Sequence, residues 1–297
     1  MIRTEILRPF VKWAGGKGQL LSEIRKYYPF GSFVQKYIEP FVGGGAVFFD
    51  IVAKYDLKEI HIADINKDLI NAYRVVRDAP AALISELRKM HMDFLSLDES
   101  RRKKYYNDVR SRYNSQKFYN GMAETEHAAL FIFLNKTCFN GLYRINKNGD
   151  FNVPMGRYKN PLVCDENNIK LVSKKLKGVK ITCGDYRDVV DLIDKSTFVY
   201  LDPPYRPISK TSNFTAYTAE TFGDDEQIKL AEFVGIVSER GGRFLLSNSD
   251  PQNENSSDDF FERLYGNYKI RKVDATRMIN SNGNRRGKIK ELFISNF

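Results

Sequence analysis

Apolar and polar residues follow one another along the chain in two rhythms. Val34–Phe41 reads as a short extended segment, and it runs into Gly43-Gly44-Gly45. Ala46–Lys54 then carries apolar residues at helical spacing, Ile60–Ala63 reads as a second strand closed by Asp64, and Leu69–Val76 as a second helix. Strand, glycine turn, helix, strand and terminal acid predict a βαβ unit. Asp78-Ala79-Pro80 marks the start of a further helix, with proline in its first turn. Between residues 80 and 175 the character changes: helical patterns (Leu83, Leu87 and Met90, then Ala128–Leu134) alternate with loops rich in Lys, Arg and Tyr or in Asn and Gly. The strand rhythm returns at Val179–Thr182, Thr197–Leu201 and Arg243–Ser247, Asn248–Asp259 reads as a polar loop, and residues 268–273 and 291–295 are expected to close the sheet as an antiparallel pair. The predicted architecture is α/β, with one sheet domain built from residues 1–74 and 178–297 and a mostly helical domain inserted at 75–177.

Composition narrows the class. With 297 residues, 42% hydrophobic and 28% charged, the chain can bury a sizeable core. No stretch reaches the ~18 apolar residues of a membrane span, and Met1–Lys12 lacks the apolar run of a secretory leader, so a cytoplasmic protein is expected. Three cysteines (Cys138, Cys164, Cys183) and three histidines (His61, His91, His127) are scattered without metal-ligand spacing, so neither disulfides nor a metal are expected. Net charge is +10, unevenly spread. Residues 101–160 hold 12 Lys and Arg against 4 Asp and Glu, and residues 269–290 hold 8 against 1, leaving a net of −5 for the remainder. Eleven aromatics are interleaved with the first basic segment. Two basic segments on a mildly acidic body point to a nucleic-acid partner, with merely solubilising charge as the alternative.

Three motifs carry candidate chemistry. Gly43-Gly44-Gly45 after a strand lets backbone approach a nucleoside closely, and Asp64, at the end of the next strand, is placed to accept from ribose hydroxyls. Phe48 stands where a third glycine of the dinucleotide pattern would be, which favours a mononucleoside-like ligand; a plain tight turn is the alternative. Trp13-Ala14-Gly15-Gly16-Lys17 resembles a phosphate loop but lacks its first glycine (Val11) and its Ser/Thr (Gly18), so Trp13 and Lys17 are left as an indole surface and a cation beside a ligand. Thr197–Leu201 ends in Asp202-Pro203-Pro204-Tyr205. The prolines remove two N–H groups, leaving the Asp202 carboxylate and the Pro203 carbonyl as acceptors beside the flat face of Tyr205. Two acceptors and an aromatic platform suit the exocyclic amine of a stacked base.

With these motifs in this order, the chain resembles the Dam/DpnM-like branch of the DNA adenine-N6 methyltransferases, the α-type amino-methyltransferases. The likeness rests on Asp202–Tyr205, Phe41–Gly45 and Lys12–Lys17, and extends to Asn140–Arg144, Phe151–Pro154, Gly156–Lys159 and Asn213–Tyr217. The resemblance implies a Rossmann-like S-adenosylmethionine-dependent methyltransferase sheet carrying an inserted DNA-recognition domain. It implies S-adenosyl-L-methionine as cofactor, held by Trp13, Lys17, Phe41, Gly43, Gly45, Asp64 (ribose), Asp185 and Tyr186 (adenine), with Asp202 bordering it. Asp202 and Pro203, aided by Pro204, would accept the N6 hydrogens of an adenine swung out of duplex DNA, with Tyr205 stacked on the base. For DNA, it implies Arg144 on a guanine, Leu142 and Pro154 on a thymine methyl, Phe139 and Asn140 around the extruded position, Lys12 on the outer guanine, and Arg157 and Ser209 on phosphates. The implied site is GATC; relatives sharing the core read longer sites.

Other readings stay open from sequence. A methyltransferase acting on RNA shares the Asp-Pro-Pro-Tyr chemistry, and a DNA-binding regulator could keep the fold without catalysis. Phe139 and Leu142 could be core residues, and Arg101–Lys104 a solvated helix face or a phosphate contact. A restriction endonuclease acting on the same site is a biological partner the sequence leaves open, and no direct protein partner is required.

Overall fold

In the computed structural model, which describes residues 7–116, 124–206, 222–276 and 288–297, a short helix α1 (Leu21–Ile24) leads into β1 (Lys36–Glu39), α2 (Ala46–Lys54), β2 (Glu59–Asp64) and α3 (Lys67–Asp78). Four helices follow: α4 (Pro80–Ser96), α5 (Glu99–Ser115), α6 (Glu124–Thr137) and α7 (Glu166–Leu176). The chain then forms β3 (Lys180–Cys183), β4 (Thr197–Leu201), α8 (Asp224–Glu239), β5 (Arg243–Ser249), α9 (Phe260–Leu264), β6 (Lys269–Thr276) and β7 (Lys288–Ser295). Helix α2 matches its expected bounds because Gly45 ahead of it takes φ 75°, and a Cβ there would run into the Tyr73 hydroxyl. Helix α3 starts where Asn66 accepts the Leu69 N–H at 3.0 Å, a cap that stabilises by about 1 kcal/mol.

The seven strands form one Rossmann-like sheet in the order β3-β2-β1-β4-β5-β7-β6. Strands β1 to β5 pair in parallel, and β7 enters antiparallel between β5 and β6. Period-two alternation splits the core between the two faces. Tyr37, Phe198, Tyr200, Leu245 and Phe293 point to the side covered by α2 and α3. Ile38, Val199, Leu201, Phe244, Leu292 and Ile294 point to the side covered by α8, α9 and the 3-10 turn Tyr186–Leu192. The chain moves outward from β1 through β2 to β3, then returns to β4 on the opposite side of β1. The crevice beyond the carboxyl ends of β1 and β4 is therefore the topological switch point, where α/β sheets bind ligands.

The helices between α3 and β3 pack on α3. Helix α6 is buried on every side from His127 to Asn135, so it reads as hydrophobic all round and lies at the centre of these helices. Tyr73 and Val76 of α3 belong to the same apolar cluster as Leu83, Phe94 and Phe133, and the expected boundary at residue 75 falls inside α3. Two local expectations need correcting. Strand β5 runs on to Ser249, and Asn248 is fully buried with its amide donating to Gln227 Oε1 at 3.1 Å, so the polar loop begins later. Within Arg101–Lys104, Arg102 is a structural tie: it donates to the carbonyls of Phe94, Leu95 and Lys159, closing the end of α4.

Candidate active site

The turn after β4 supplies the first wall of the crevice. Asp202 Oδ1 receives Lys17 Nζ at 2.6 Å and Ser247 Oγ at 3.1 Å. Lys17 is buried, and its other two ammonium hydrogens go to the Gly15 carbonyl at 3.0 Å and the Tyr205 hydroxyl at 2.9 Å. Burial raises the Asp202 carboxyl above the usual aspartate range, opposed by the Lys17 charge and the Ser247 hydroxyl. Against its own burial, Lys17 is held above the ordinary lysine range by Asp202 and the phenol and carboxyl groups around it, so it stays charged. Pro203 is buried, and no hydrogen bond reaches its carbonyl among the described residues. Pro204 is exposed, its carbonyl accepting from Gln227 at 3.3 Å. Asp202, Pro203 and Tyr205 thus gather at the end of β4, as the motif required.

The turn after β1 supplies the second wall. Gly43 N–H donates to Asp64 Oδ2 at 3.0 Å and Asn66 N–H to Oδ1 at 2.9 Å, fixing the carboxylate while leaving each oxygen a lone pair. Burial pushes Asp64 up to about 6, against these backbone donors. Beyond β3, Asp185 caps the 3-10 turn, and its carboxylate takes the Arg187 guanidinium at 2.6 and 3.0 Å. Phe41 and Tyr186 stack at 5.2 Å and 29°. Trp13 lies over the Gly43-Gly44 turn: a Cβ on Gly43 would meet the indole Cδ1 at 2.8 Å. Two carboxylates at the ends of neighbouring strands, an aromatic pair and a backbone turn suit a nucleoside with vicinal hydroxyls and a purine. A purine amine donating to Asp185 would displace Arg187 from one oxygen, and an anionic tail at Lys17 would displace one of its three acceptors.

A hairpin-like loop at the end of α6 gathers the expected DNA contacts. Isolated bridges join Cys138 to Met155 and Ile145 to Phe151. Phe139 is half exposed, which removes it from the core, and its N–H donates to the Pro154 carbonyl at 2.9 Å. Asn140 is exposed with φ 55°, a strained setting for a residue with a side chain. Gly141 follows at φ 64°, and a Cβ there would strike the Lys12 side chain at 2.5 Å. Lys12 is held over the Tyr158 ring at 4.0 Å, and Asn135 brackets its backbone, accepting from its N–H and donating to its carbonyl, each at 2.7 Å. Leu142 is partly buried against the core, and Arg144 Nε donates to Asn152 Oδ1 at 2.7 Å. Pro154 and Arg157 are exposed. Ser209 and Asn213–Tyr217 lie outside the described residues.

Several residues of the site escaped the sequence reading. Asp68 accepts from Tyr113 at 2.5 Å, Tyr143 at 2.7 Å and His127 at 2.8 Å, and these three donors outweigh burial to keep its carboxyl below the ordinary value. The Tyr143 ring also stacks on Trp13 at 5.8 Å and 24°. Ser247 reaches Asp202 from β5, and the buried Glu291 of β7 stands opposite Ser249 of the same strand. Glu39, buried at the end of β1, takes the Tyr37 hydroxyl at 2.6 Å, and burial drives its carboxyl far up. The available signal was an acid at an inward position of an apolar strand, as in Ile289-Lys290-Glu291-Leu292-Phe293.

A family model of D12 class N6 adenine-specific DNA methyltransferases matches residues 13–279. The chain is 51% identical over 295 residues to the type II methyltransferase M.MjaIII of Methanocaldococcus jannaschii, covering 98% of this chain and 99% of that protein. It is 39% identical over 293 residues to the type II methyltransferase M1.LlaDCHI of Lactococcus lactis subsp. cremoris, covering 98% and 96%. It is 35% identical over 285 residues to the DNA adenine methylase of Escherichia coli K12, covering 96% and 94%.

Proposed function

Because the chain belongs to the family of D12 class N6 adenine-specific DNA methyltransferases, we propose that it methylates adenine N6 within GATC in duplex DNA, using S-adenosyl-L-methionine and extruding the target base. The observation that carries this reading is the meeting of Asp202, Lys17 and Tyr205 at the switch point, beside the Gly43–Asp64 turn.

Asp64 would hold the ribose hydroxyls of the cofactor with its two remaining lone pairs, Phe41, Asp185 and Tyr186 its purine, and Gly43, Gly45 and Trp13 the floor and edge of that cradle. When bound, the cofactor supplies an electrophilic methyl group on a sulfonium. The chain's own task is to present a nitrogen to it in line. An adenine inside the duplex hides N6 in the stack, so the base must swing out, and Tyr205 offers it a face. The Asp202 carboxylate and the Pro203 carbonyl accept the two N6 hydrogens, which turns the nitrogen lone pair outward and raises its electron density. Lys17 fixes the carboxylate in place, so catalysis is positioning and electrostatics. Lys12, Phe139, Asn140, Leu142, Arg144, Pro154 and Arg157 would read and hold the DNA from the loop after α6, with segment 75–177 acting as the recognition domain.

The test is methylation of a random-sequence duplex library with labelled cofactor, mapped as positions of N6-methyladenine. Methylation confined to GATC is expected; another motif would discard the site assignment, and transfer to RNA alone would discard the substrate. Asp202→Ala should bind DNA and lose at least about 100-fold in kcat. Near-normal turnover would sink the mechanism.

A further inference from the structure

Two consecutive residues of β5 hold the turn after β4 from opposite faces of the sheet. Ser247 donates to Asp202 Oδ1 at 3.1 Å. Asn248 points to the other face, where α8 packs, and its amide donates to Gln227 Oε1 at 3.1 Å. Gln227 Nε2 in turn donates to the Pro204 carbonyl at 3.3 Å. The Ser249 N–H donates to Asn248 Oδ1 at 2.9 Å, so the chain of donors runs one way, from β5 through both amides to the turn. Gln227 and Asn248 are fully buried. A buried amide left unpaired costs about 1–3 kcal/mol, so the pair is fully satisfied only while the Pro204 carbonyl stays in place.

A second set of bonds joins the same helix to the far side of Tyr205. Arg206 Nε and Nη2 donate to the two oxygens of Asp224 at 2.6 and 3.0 Å, and Nη1 donates to Asp258 at 2.8 Å. The guanidinium also lies over the Phe260 ring at 4.2 Å. Asp224 and Gln227 stand at i and i+3 at the start of α8 and so share one helix face. Tyr205 is thereby bracketed: the carbonyl before it and the side chain after it both end on one turn of helix. Proline fixes φ at positions 203 and 204. The Gln227 bond fixes ψ at Pro204, which aims the peptide entering Tyr205.

Resting on the reading of Tyr205 as the platform for the extruded base, we propose that the first turn of α8 is a clamp that positions Tyr205 for methyl transfer, with Gln227 as its positioning residue and the Arg206–Asp224 pair as its second arm. Gln227 acts through the Pro204 backbone and touches no reacting atom. Releasing it lets the ring tilt under the base and takes N6 off the line of transfer. Binding changes little, because the loop after α6 carries the DNA and the Gly43–Asp64 turn the cofactor.

The experiment measures single-turnover methylation of duplex DNA with enzyme in excess, and steady-state KM for DNA and cofactor. The proteins are wild type, Gln227→Met, Arg206→Lys, Tyr205→Ala, and each of the first two substitutions combined with Tyr205→Ala. Gln227→Met keeps the volume and removes the donor. Its single-turnover rate should fall about 10-fold, with both KM values held within about twofold. In the Tyr205→Ala background the same substitution should change the rate by less than about twofold, because the residue it positions is gone. A wild-type rate in Gln227→Met, a loss confined to KM, or an undiminished loss on top of Tyr205→Ala would overturn the proposal. If Gln227→Met does not fold, Arg206→Lys carries the test, since it keeps the charge and removes the fork. A slower rate that vanishes as a difference in the Tyr205→Ala background is then expected, and a wild-type rate overturns the clamp. Absence of DNA methylation by the wild type, or turnover by Asp202→Ala, withdraws the functional reading itself; with both of those as expected, a wild-type rate in Gln227→Met withdraws only this proposal.

Discussion

Tyr143 donates its hydroxyl to Asp68 at 2.7 Å, tying the residue before Arg144 to the helix that begins just beyond Asp64. The same ring lies on Trp13, which covers the Gly43-Gly44 turn. One aromatic side chain thus links the loop proposed to read DNA with the walls proposed to hold the cofactor. Tyr143→Phe keeps the stack and removes the bond. It should cost about 1 kcal/mol of stability and lower discrimination between cognate and single-mismatch duplexes several-fold, read from competitive methylation. Unchanged discrimination at reduced stability would assign Tyr143 to packing alone.

Arg144 is pre-oriented by Asn152, which accepts from its Nε at 2.7 Å. If the guanidinium reads a guanine, Arg144→Ala should lose about 1–3 kcal/mol of preference at that base while weakening overall DNA binding less. Asn152→Ala should relax the same position to a smaller extent, because the donor remains but its fork is no longer aimed. Binding to duplexes varied at each base separates the outcomes. A uniform loss over all sequences would mark Arg144 as a phosphate contact.

Burial pushes the Asp64 carboxyl up to about 6, against its backbone donors. Ribose hydroxyls need the ionised acceptor, so cofactor affinity should be flat above that pH and weaken as pH falls through it, approaching tenfold per unit. Calorimetric titration of S-adenosyl-L-methionine across this range checks the slope. Asp64→Asn should bind weakly and show no such dependence; a slope that survives the substitution would locate the titration elsewhere.

His61, inside the sheet, is held neutral. Burial and the nearby Lys180 lower it from 6.5 to about 4, while its Nε2 meets Thr182 Oγ1 at 2.7 Å. The unfolded chain therefore binds a proton at higher pH than the folded one. The stability this neutral histidine contributes is complete above the unfolded value of 6.5 and is lost as pH falls toward 4, up to about 3 kcal/mol. Urea unfolding at about pH 7 and about pH 5 should show a smaller acid loss in His61→Gln than in wild type. Equal losses would mean that other groups set the acid limb.

The elements whose pattern carries a local physical reason were readable from sequence: the apolar strands Thr197–Leu201 and Arg243–Ser247, the glycine-led helix Ala46–Lys54, and the antiparallel pair at the end of the chain. So were the chemical groups that a short motif holds together, because Asp202, Pro203 and Tyr205 are adjacent along the backbone. Helix boundaries across the insert were less readable. Helix α6 is buried all round and shows no amphipathic stripe, and α3 serves both the sheet and the insert.

What the tertiary structure alone decided is which distant residues share one charge. Lys17 and Asp202 are 185 positions apart, Asp68 and Tyr143 75 apart, and Ser247 joins Asp202 from β5, 45 positions on. Periodicity records which face of an element is buried, and motif spacing records what neighbours along the chain can do together. Neither records which buried carboxylate meets which cation, because that pairing depends on strand order: β4 returning beside β1, with β5 on its other side, sets Lys17, Asp202, Tyr205 and Ser247 around one crevice.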